Sequence, residues 1–282
     1  MQKEYKKLQK IGMVEIFDNI RKIYTFKSPC GELAEFIEFF SESSFEETER
    51  YMHGKTFSVK MFPSWTPTFY INLGSPYQIS LGKTKYAIDK EKDVLILRDS
   101  IVERHNLPTD HIFTVKFFPG GLEAIFGISQ ATMAERVIDL KTVIPQAIIQ
   151  QTKEFVSFDE RFVFLQNYFL CLHQRRKKST GHYFELVQDS IALFTSGHMQ
   201  FNNAQLAEKM FVTSKTINRY FARTVGTTPK NYFSLLRTRA ALQAYVSEAD
   251  SFSVTDYGYY DMSHFYKDVV KFTGKRLNSQ VG

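Results

Sequence analysis

The most constraining stretch of the chain is residues 202–233, where two short amphipathic helices are joined by a tight turn. Asn202 or Asn203 can cap the first helix, and Thr213 or Ser214 can cap the second, because such side chains accept hydrogen bonds from the first backbone N–H groups of a helix. The apolar positions are Leu206, Ala207 and Met210 in the first helix and Ile217, Tyr220 and Phe221 in the second. The stretch therefore predicts a helix-turn-helix unit.

The outer face of the second helix carries residue types that can read bases. Lys215, Asn218 and Arg219 point away from Ile217 and Phe221. Asparagine can form two hydrogen bonds with adenine, arginine can do so with guanine, and lysine can bind guanine or a phosphate. Short amphipathic hairpins also occur in helical domains that bind no DNA, so the shape by itself leaves both interpretations open.

Two segments of the chain resemble the two halves of the AraC/XylS-type DNA-binding domain. The first is LAEKMFVTSKTINRYFARTVGTTPKNYF, followed by LRTRAAL, and the second is GYYDMSHFYKDVVKFTG. The resemblance covers residues 183–280. It implies two helix-turn-helix units joined by a rigid helix from about Pro229 to Ser247, with one helix of each unit entering the major groove.

By position, the resemblance assigns candidate DNA-binding residues to both units. They are Ser214, Lys215, Asn218 and Arg219 in the first unit and Met262, Ser263, Tyr266 and Lys267 in the second. The first set is expected to give the sharper base readout, because Met262 and Tyr266 offer shape and van der Waals contact rather than paired hydrogen bonds.

The segment before the second recognition helix departs from the family pattern. The family has a helix there, whereas SVTDYGYYD reaches Gly258 with fewer residues, and Leu277 replaces a proline expected after the last glycine turn. A lost helical turn weakens the scaffold beneath a reader without removing the reader. We therefore expect a second reader on a shortened support, contributing more to docking than to sequence discrimination.

The first part of the chain is mostly strand-like. Short apolar or alternating runs, including TPTFYIN, YQISLG, DVLILR and HIFTVKFF, are separated by turn residues. Such runs predict an antiparallel sheet. One helix is expected to interrupt it, because Leu33, Phe36, Ile37 and Phe40 have the spacing of one apolar helix face.

Helices are expected to follow the strands. A short helix with a loop is predicted over residues 120–133, and a gapless helix-compatible run extends from Ile144 to about His173. The apolar positions of that run are dense enough to need cover on more than one face, either within the chain or against a second copy. The predicted fold class is α+β, with a C-terminal all-α domain of two helix-turn-helix units.

Charge divides the chain unevenly. From Arg175 to the end there are 15 Lys and Arg against 8 Asp and Glu, whereas residues 1–174 carry 21 against 22. The basic HQRRKKSTGH segment indicates a solvated linker, with a phosphate-contacting arm as the alternative. We predict a sensor or dimerisation domain over 1–174, a basic linker over 175–182 and a DNA-binding domain over 183–282.

No catalytic or metal-binding pattern is apparent in the sequence. His53, His105 and His111 are too scattered for a metal site, and Cys30 and Cys171 have no redox or zinc spacing. There is no nucleophile elbow or nucleotide-binding loop. No enzymatic activity, metal or cofactor is therefore expected, and the absence of a signal peptide or membrane-length run favours a cytoplasmic protein.

These observations favour a sequence-specific transcription regulator whose partner is a double-stranded DNA operator. The segment FFPGGLEAIFGISQATMAERVIDL resembles the sensor region upstream of such domains in some bacterial regulators. The resemblance leaves a small-molecule effector and a homodimer open, together with the choice between activation and repression. The alternative is a ligand-binding or protein-interaction module whose helical domain has lost competent DNA reading.

Overall fold

The computed structural model describes residues 23–107, 109–133, 137–176, 182–247, 251–274 and 276. Three layers are stacked in the N-terminal part, namely a four-stranded sheet, a six-stranded sheet and a layer of helices. The strands are β1 Tyr24–Lys27, β2 Ile37–Ser43, β3 Phe57–Met61, β4 Pro67–Asn72, β5 Tyr77–Leu81, β6 Thr84–Ile88, β7 Val94–Leu97, β8 Val102–Asn106, β9 Ile112–Phe117 and β10 Val137–Asp139.

All pairings in the two sheets are antiparallel, as the sequence predicted. The larger sheet has the order β1-β2-β9-β4-β7-β10, and the smaller has the order β3-β8-β5-β6. Every residue of β4 and β9 is buried, because one face of these strands packs on the smaller sheet and the other on the helices. In β4, Tyr70 belongs to the apolar cluster between the sheets, and Phe69 belongs to the cluster under the helices.

Four helices accompany the sheets. They are α1 Phe45–Met52, α2 Gly121–Phe126, α3 Gln146–Glu154 and α4 Phe158–Arg176. The α4 helix covers the larger sheet with Leu165 and Phe169, which pack among Phe69, Phe117 and Phe126. The predicted short helix over 120–133 is found as α2 and a 3-10 turn at Gln130–Thr132.

The predicted helix around Leu33 to Phe40 is wrong. Residues Gly31–Leu33 form a single 3-10 turn, and Ile37–Ser43 form β2. Ile37 pairs with Phe117 and Phe39 pairs with Lys116, so β2 has one extra residue relative to β9 at this point. This bulge brings Ile37 and Phe40, three residues apart, to the same buried face. The bulge therefore produced, within a strand, the three-residue apolar spacing that is typical of a helix.

The predicted gapless helix from Ile144 to His173 is also wrong in its continuity. The chain forms α3 and α4, and the break lies at residues 155–157. The Ser157 hydroxyl accepts a hydrogen bond from the backbone N–H of Glu160 at 3.2 Å, and a carboxylate oxygen of Glu160 accepts from the backbone N–H of Ser157 at 3.0 Å. This reciprocal capping box starts a new helix, and its signature, SFDE, was readable in the sequence.

The C-terminal part is helical throughout its described length. Its helices are α5 His182–Ser196, α6 Asn203–Lys209, α7 Ser214–Thr224, α8 Pro229–Ser247 and α9 Met262–Thr273, with a 3-10 turn at Val254–Tyr257. One apolar cluster forms beneath α6 and α7, and a second forms beneath α9, with α8 contributing to both. The α+β fold class is thus confirmed.

The two predicted domains are in contact in the structure, and α5 lies between them. Arg175 and Arg176 of the predicted linker are the last residues of α4, and residues 177–181 lie outside the described residues. Phe184 of α5 packs with Phe36 in the N-terminal core, with ring centres 5.3 Å apart, whereas Phe194 of the same helix packs with Phe233 of α8 at 4.3 Å. The α5 helix therefore contacts both parts.

Candidate nucleic-acid interface

The first helix-turn-helix unit is α6 and α7. Asn202 caps α6 in a capping box with Gln205, and Thr213, not Ser214, caps α7 by accepting a hydrogen bond from the backbone N–H of Thr216 at 3.1 Å. Ala207 is buried at the crossing of the helices, where its carbonyl accepts from the backbone N–H of Val212 at 2.9 Å. The caps and the small residue fix the angle of α7.

One stripe of α7 is exposed from end to end. Its members are Lys215, Asn218, Arg219 and Ala222, at helical spacings of three and four, and Ser214 beside them is half-buried. On the opposite face Ile217 and Phe221 are completely buried. The Asn218 amide donates a hydrogen bond to the carbonyl of Ser214 at 2.8 Å, which holds the amide against the helix surface. Three polar side chains are thus presented side by side on a rigid helix.

In the second unit, the segment that leads into the recognition helix α9 is short. A single 3-10 turn, Val254–Tyr257, leads into Gly258, whose φ of 72° is left-handed. A Cβ atom at Gly258 would lie 2.8 Å from the Met199 carbonyl oxygen, so only glycine fits this turn. Asp261 then caps α9 by accepting a hydrogen bond from the backbone N–H of His264 at 2.8 Å.

A buried polar network holds α9 against α8 in place of the missing helical turn. The Tyr259 hydroxyl lies 2.8 Å from the Thr238 hydroxyl and donates to the Asp268 carboxylate at 3.2 Å. Ser234 donates to the same carboxylate oxygen at 2.9 Å. Burial and the adjacent Asp268 raise the pKa of Tyr259, so this hydroxyl keeps its proton. The support is shortened, as predicted, and is compensated by side-chain hydrogen bonds that no local pattern revealed.

The α9 helix also exposes one stripe. Its members are Ser263, Tyr266, Lys267 and Val270. The predicted candidate Met262 is half-buried and packs against the apolar cluster beneath the helix. Ala222 on α7 and Val270 on α9 were not among the predicted site residues, although each continues its stripe by the same spacing of three and four. That continuation was the signal available in the sequence.

The distance between α7 and α9 is set by α8. It contains 19 residues, which gives a helix of about 28 Å at 1.5 Å per residue. Its range is the one predicted for the joining helix, and it packs against both α7 and α9. The length is compatible with two readers about one turn of DNA apart, roughly 34 Å.

The C-terminal end of α7 is tied to the N-terminal part through Gln130. This side chain is buried, and its amide donates to the Val225 carbonyl at 2.8 Å and to the Trp65 carbonyl at 2.9 Å. The Ser129 hydroxyl donates to the carbonyl of Arg223 at 2.9 Å. These bonds satisfy carbonyls at the end of the first reader, where a helix leaves them without internal partners.

Side chains reinforce the same junction. The guanidinium carbon of Arg223 lies 3.9 Å from the ring centre of Tyr183, and its nitrogen lies 3.8 Å from the Glu123 carboxylate. Tyr183 donates to that carboxylate at 2.7 Å. The end of α7 that carries Arg223 is therefore engaged by the N-terminal part, whereas the stripe with Lys215, Asn218 and Arg219 is left exposed.

Basic side chains surround a small cavity inside the N-terminal part. The cavity has a volume of about 40 Å³ and is lined by aromatic residues together with Arg98, Arg104 and Lys116. Lys116 is completely buried and has a carboxylate oxygen of Glu38 at 2.8 Å. Burial lowers the pKa of Lys116 to about 8, with a smaller contribution from Arg239 of α8, although the Glu38 carboxylate favours the charged form of the lysine.

The histidines and cysteines that were considered in the sequence do not meet. His105 lies between the hydroxyls of Ser58 and Ser80, each at 2.9 Å, and His111 bonds Glu42 at 2.8 Å. Across the described ranges, no group of three or more His, Cys, Asp or Glu side chains is arranged to hold a metal ion. None of the helices in those ranges combines the length and apolar character needed to cross a bilayer.

Residues 206–278 match the family model described as "Helix-turn-helix domain". The match spans both units, from the middle of α6 to beyond α9, and the expected AraC-type resemblance is confirmed for this region. No match to this chain was found among curated proteins.

Three solved structures are similar to this chain at low identity. ToxT from Vibrio cholerae is 11% identical, covers 80% of this chain and 97% of its own, and has a TM-score of 0.46. Unsaturated fatty acid-bound ToxT from strain SCE256 is 11% identical, with coverage of 80% and 94% and a TM-score of 0.41. The AraC-like transcriptional activator CuxR is 10% identical, with coverage of 85% and 92% and a TM-score of 0.27.

Proposed function

Because residues 206–278 match a helix-turn-helix family model, which supports a DNA-binding transcription regulator, we propose that the protein reads a specific operator through the major groove. The observation that carries the proposal is the pair of capped helices, α7 and α9, each with an exposed stripe opposite a buried one. The α7 stripe bears an arginine and an asparagine, the side chains best suited to guanine and adenine.

The two kinds of contact have separate tasks. Basic side chains of the C-terminal part, such as Lys230 and Lys271, are exposed and suit phosphate contacts, which give most of the affinity without regard to sequence. Lys215, Asn218 and Arg219 provide base readout. The protein acts without enzymatic chemistry, in the cytoplasm, through the domain division 1–174, 175–182 and 183–282.

Selection of bound duplexes from a random DNA library tests the proposal and yields the operator. We expect an enriched motif with two elements about one helical turn apart, one for each reader. The alternative, a module without competent DNA reading, is motivated by the short Val254–Tyr257 turn and predicts that no motif is enriched.

Arg219→Ala is expected to weaken binding to the selected operator by about 1–3 kcal/mol and to relax one base position, because a bidentate contact with guanine is lost. Binding curves on the operator and on a random duplex measure both effects. Arg50→Ala on α1 is the matched control, since Arg50 is an exposed arginine of the N-terminal part. Equal weakening on operator and random DNA would assign Arg219 to phosphate contact.

A small anionic effector is also part of the proposed function. Three cations, Arg98, Arg104 and Lys116, line the cavity, and the hydroxyl of Thr68, which also lines it, is buried without a hydrogen-bond partner. The volume of about 40 Å³ holds a few water molecules or a group of carboxylate size.

Binding of acetate, as the simplest carboxylate probe, is expected to weaken as pH rises. Lys116 is protonated below its pKa of about 8 and neutral above it, and an anion favours the protonated form. Between pH 7 and pH 9 the apparent affinity should fall by up to about tenfold, as measured by calorimetric titration. Lys116→Met should remove this pH dependence, whereas Lys60→Met, which alters a lysine paired with Glu103 outside the cavity lining, should retain it. A profile unchanged by Lys116→Met would exclude this site.

A homodimer is proposed as the assembled form. The α4 helix exposes Val163 and Cys171 on the side away from the sheet, beside the half-buried Phe164. Light scattering of the purified chain at several concentrations tests this association. A monomer at every concentration would contradict it.

A further inference from the structure

The two recognition helices present their stripes in the same register. On α7, Lys215, Asn218, Arg219 and Ala222 follow the cap Thr213 by two, five, six and nine residues. On α9, Ser263, Tyr266, Lys267 and Val270 follow the cap Asp261 by the same four distances. Equal positions relative to the cap place equal parts of each helix against the groove. The chemistry at these positions can therefore be compared directly.

The comparison shows that the α9 stripe carries larger apolar side chains at two of its four positions. Tyr266 stands where α7 has Asn218, and Val270 stands where α7 has Ala222. Tyr266 is 39% exposed and Val270 is 44% exposed, although Phe265, Val269 and Phe272 of the same helix are buried. The two exposed residues are four apart and thus adjacent on the helix surface. The core of the domain does not account for them.

We propose that α9 reads thymine methyl groups through Tyr266 and Val270, and so selects A·T pairs in its half of the operator. The thymine 5-methyl is the one apolar group on the base edges of the major groove. The inference rests on the proposed DNA-reading function and specifies what its second half recognises. The α7 helix selects its half by hydrogen bonds, whereas α9 selects by apolar contact.

The charges around the pair favour DNA as the occupant of this surface. Lys267 is exposed within the stripe, and Lys271 beside it is held by a hydrogen bond to the Asn231 side chain at 3.0 Å. Lys267 and Lys271 are four residues apart and form a basic row along one side of the apolar pair, where it can contact a phosphate beside the base edge. The Tyr266 ring contacts the buried Phe265 ring, with centres 6.1 Å apart, so its base is anchored at the helix surface. An apolar surface with a basic row beside it fits a methyl group in a polyanion.

The test replaces each thymine of the selected operator by deoxyuridine, one at a time. This substitution removes one methyl group and leaves base pairing intact. In the half bound by α9, removing one contacted methyl group should raise Kd roughly fourfold. The estimate follows from about 0.8 kcal/mol of binding free energy per buried carbon. Val270→Ala should abolish the deoxyuridine effect at one position, and Val270→Ile should retain it.

Val246→Ala on α8 is the matched control, because Val246 is 47% exposed and lies outside both stripes. It should show the full deoxyuridine effect. An operator half that contains no thymine, or a deoxyuridine effect unchanged in Val270→Ala, would overturn the inference while leaving an Arg219-dependent motif intact. Loss of transcriptional output in Val270→Ala with unaltered DNA binding would also overturn it and assign the surface to a protein partner. Failure to enrich any motif would instead remove the proposed function itself.

Discussion

Phe265→Ala is expected to lower the free energy of unfolding by about 3–5 kcal/mol, the usual cost of removing a buried phenyl group. The ring is completely buried, and its centre lies 5.4 Å from those of Phe252 and Tyr259 and 6.1 Å from that of Tyr245. These contacts attach α9 to α8 and to the short turn before it. Urea denaturation followed by circular dichroism measures the change.

The matched control is Phe211→Ala, because the Phe211 side chain is 95% exposed in the turn of the first unit. It has a left-handed φ of 55°, and alanine is strained there to a similar degree. Its stability should change by no more than about 0.5 kcal/mol. If Phe265→Ala proved as mild as Phe211→Ala, α9 would not be packed as described.

Gln130→Ala is expected to lower the free energy of unfolding by about 2–4 kcal/mol, because a buried and a partly buried carbonyl group lose their donor. These belong to Val225 at the end of α7 and to Trp65 in the loop between β3 and β4. The amide oxygen of Gln130 also accepts from the backbone N–H of Gly120 at 3.3 Å. One side chain thus joins three segments across the border between the two parts.

The loss should be greatest at that border, so hydrogen exchange should accelerate in α7 and in residues 121–126 more than in the strands. Gln150→Ala is the matched control, because Gln150 is an exposed residue of α3. It should leave both the unfolding free energy and the exchange rates unchanged. Similar behaviour of the two variants would show that Gln130 does not connect the parts.

The helices α7 and α9 could be located from the sequence because their signals are local. Caps such as Thr213 and Asp261, and apolar positions at spacings of three and four, fix the start and the buried face of a helix without help from distant residues. The capping box at SFDE and the spacing that leads to Val270 are local signals of the same kind.

The errors in the N-terminal part arose where a distant partner decided the outcome. Ile37 and Phe40 share a face because β9 pairs with β2 through a bulge, and that pairing is invisible in the local spacing. Likewise, nothing near Gln130 in the chain indicates that it bonds residues 65 and 225. The cavity cations come from β8, β9 and the residue after β7, so only the sheet topology brings them together.

The affinity of the protein for its selected operator, compared with that for a random duplex at several salt concentrations, tests the central claim most directly. Affinity for both duplexes should fall as salt rises, because phosphate contacts release counterions. A preference of about a thousandfold or more for the operator should persist, because base contacts do not depend on that release. Equal affinity for the two duplexes at every salt concentration would contradict specific reading by α7 and α9.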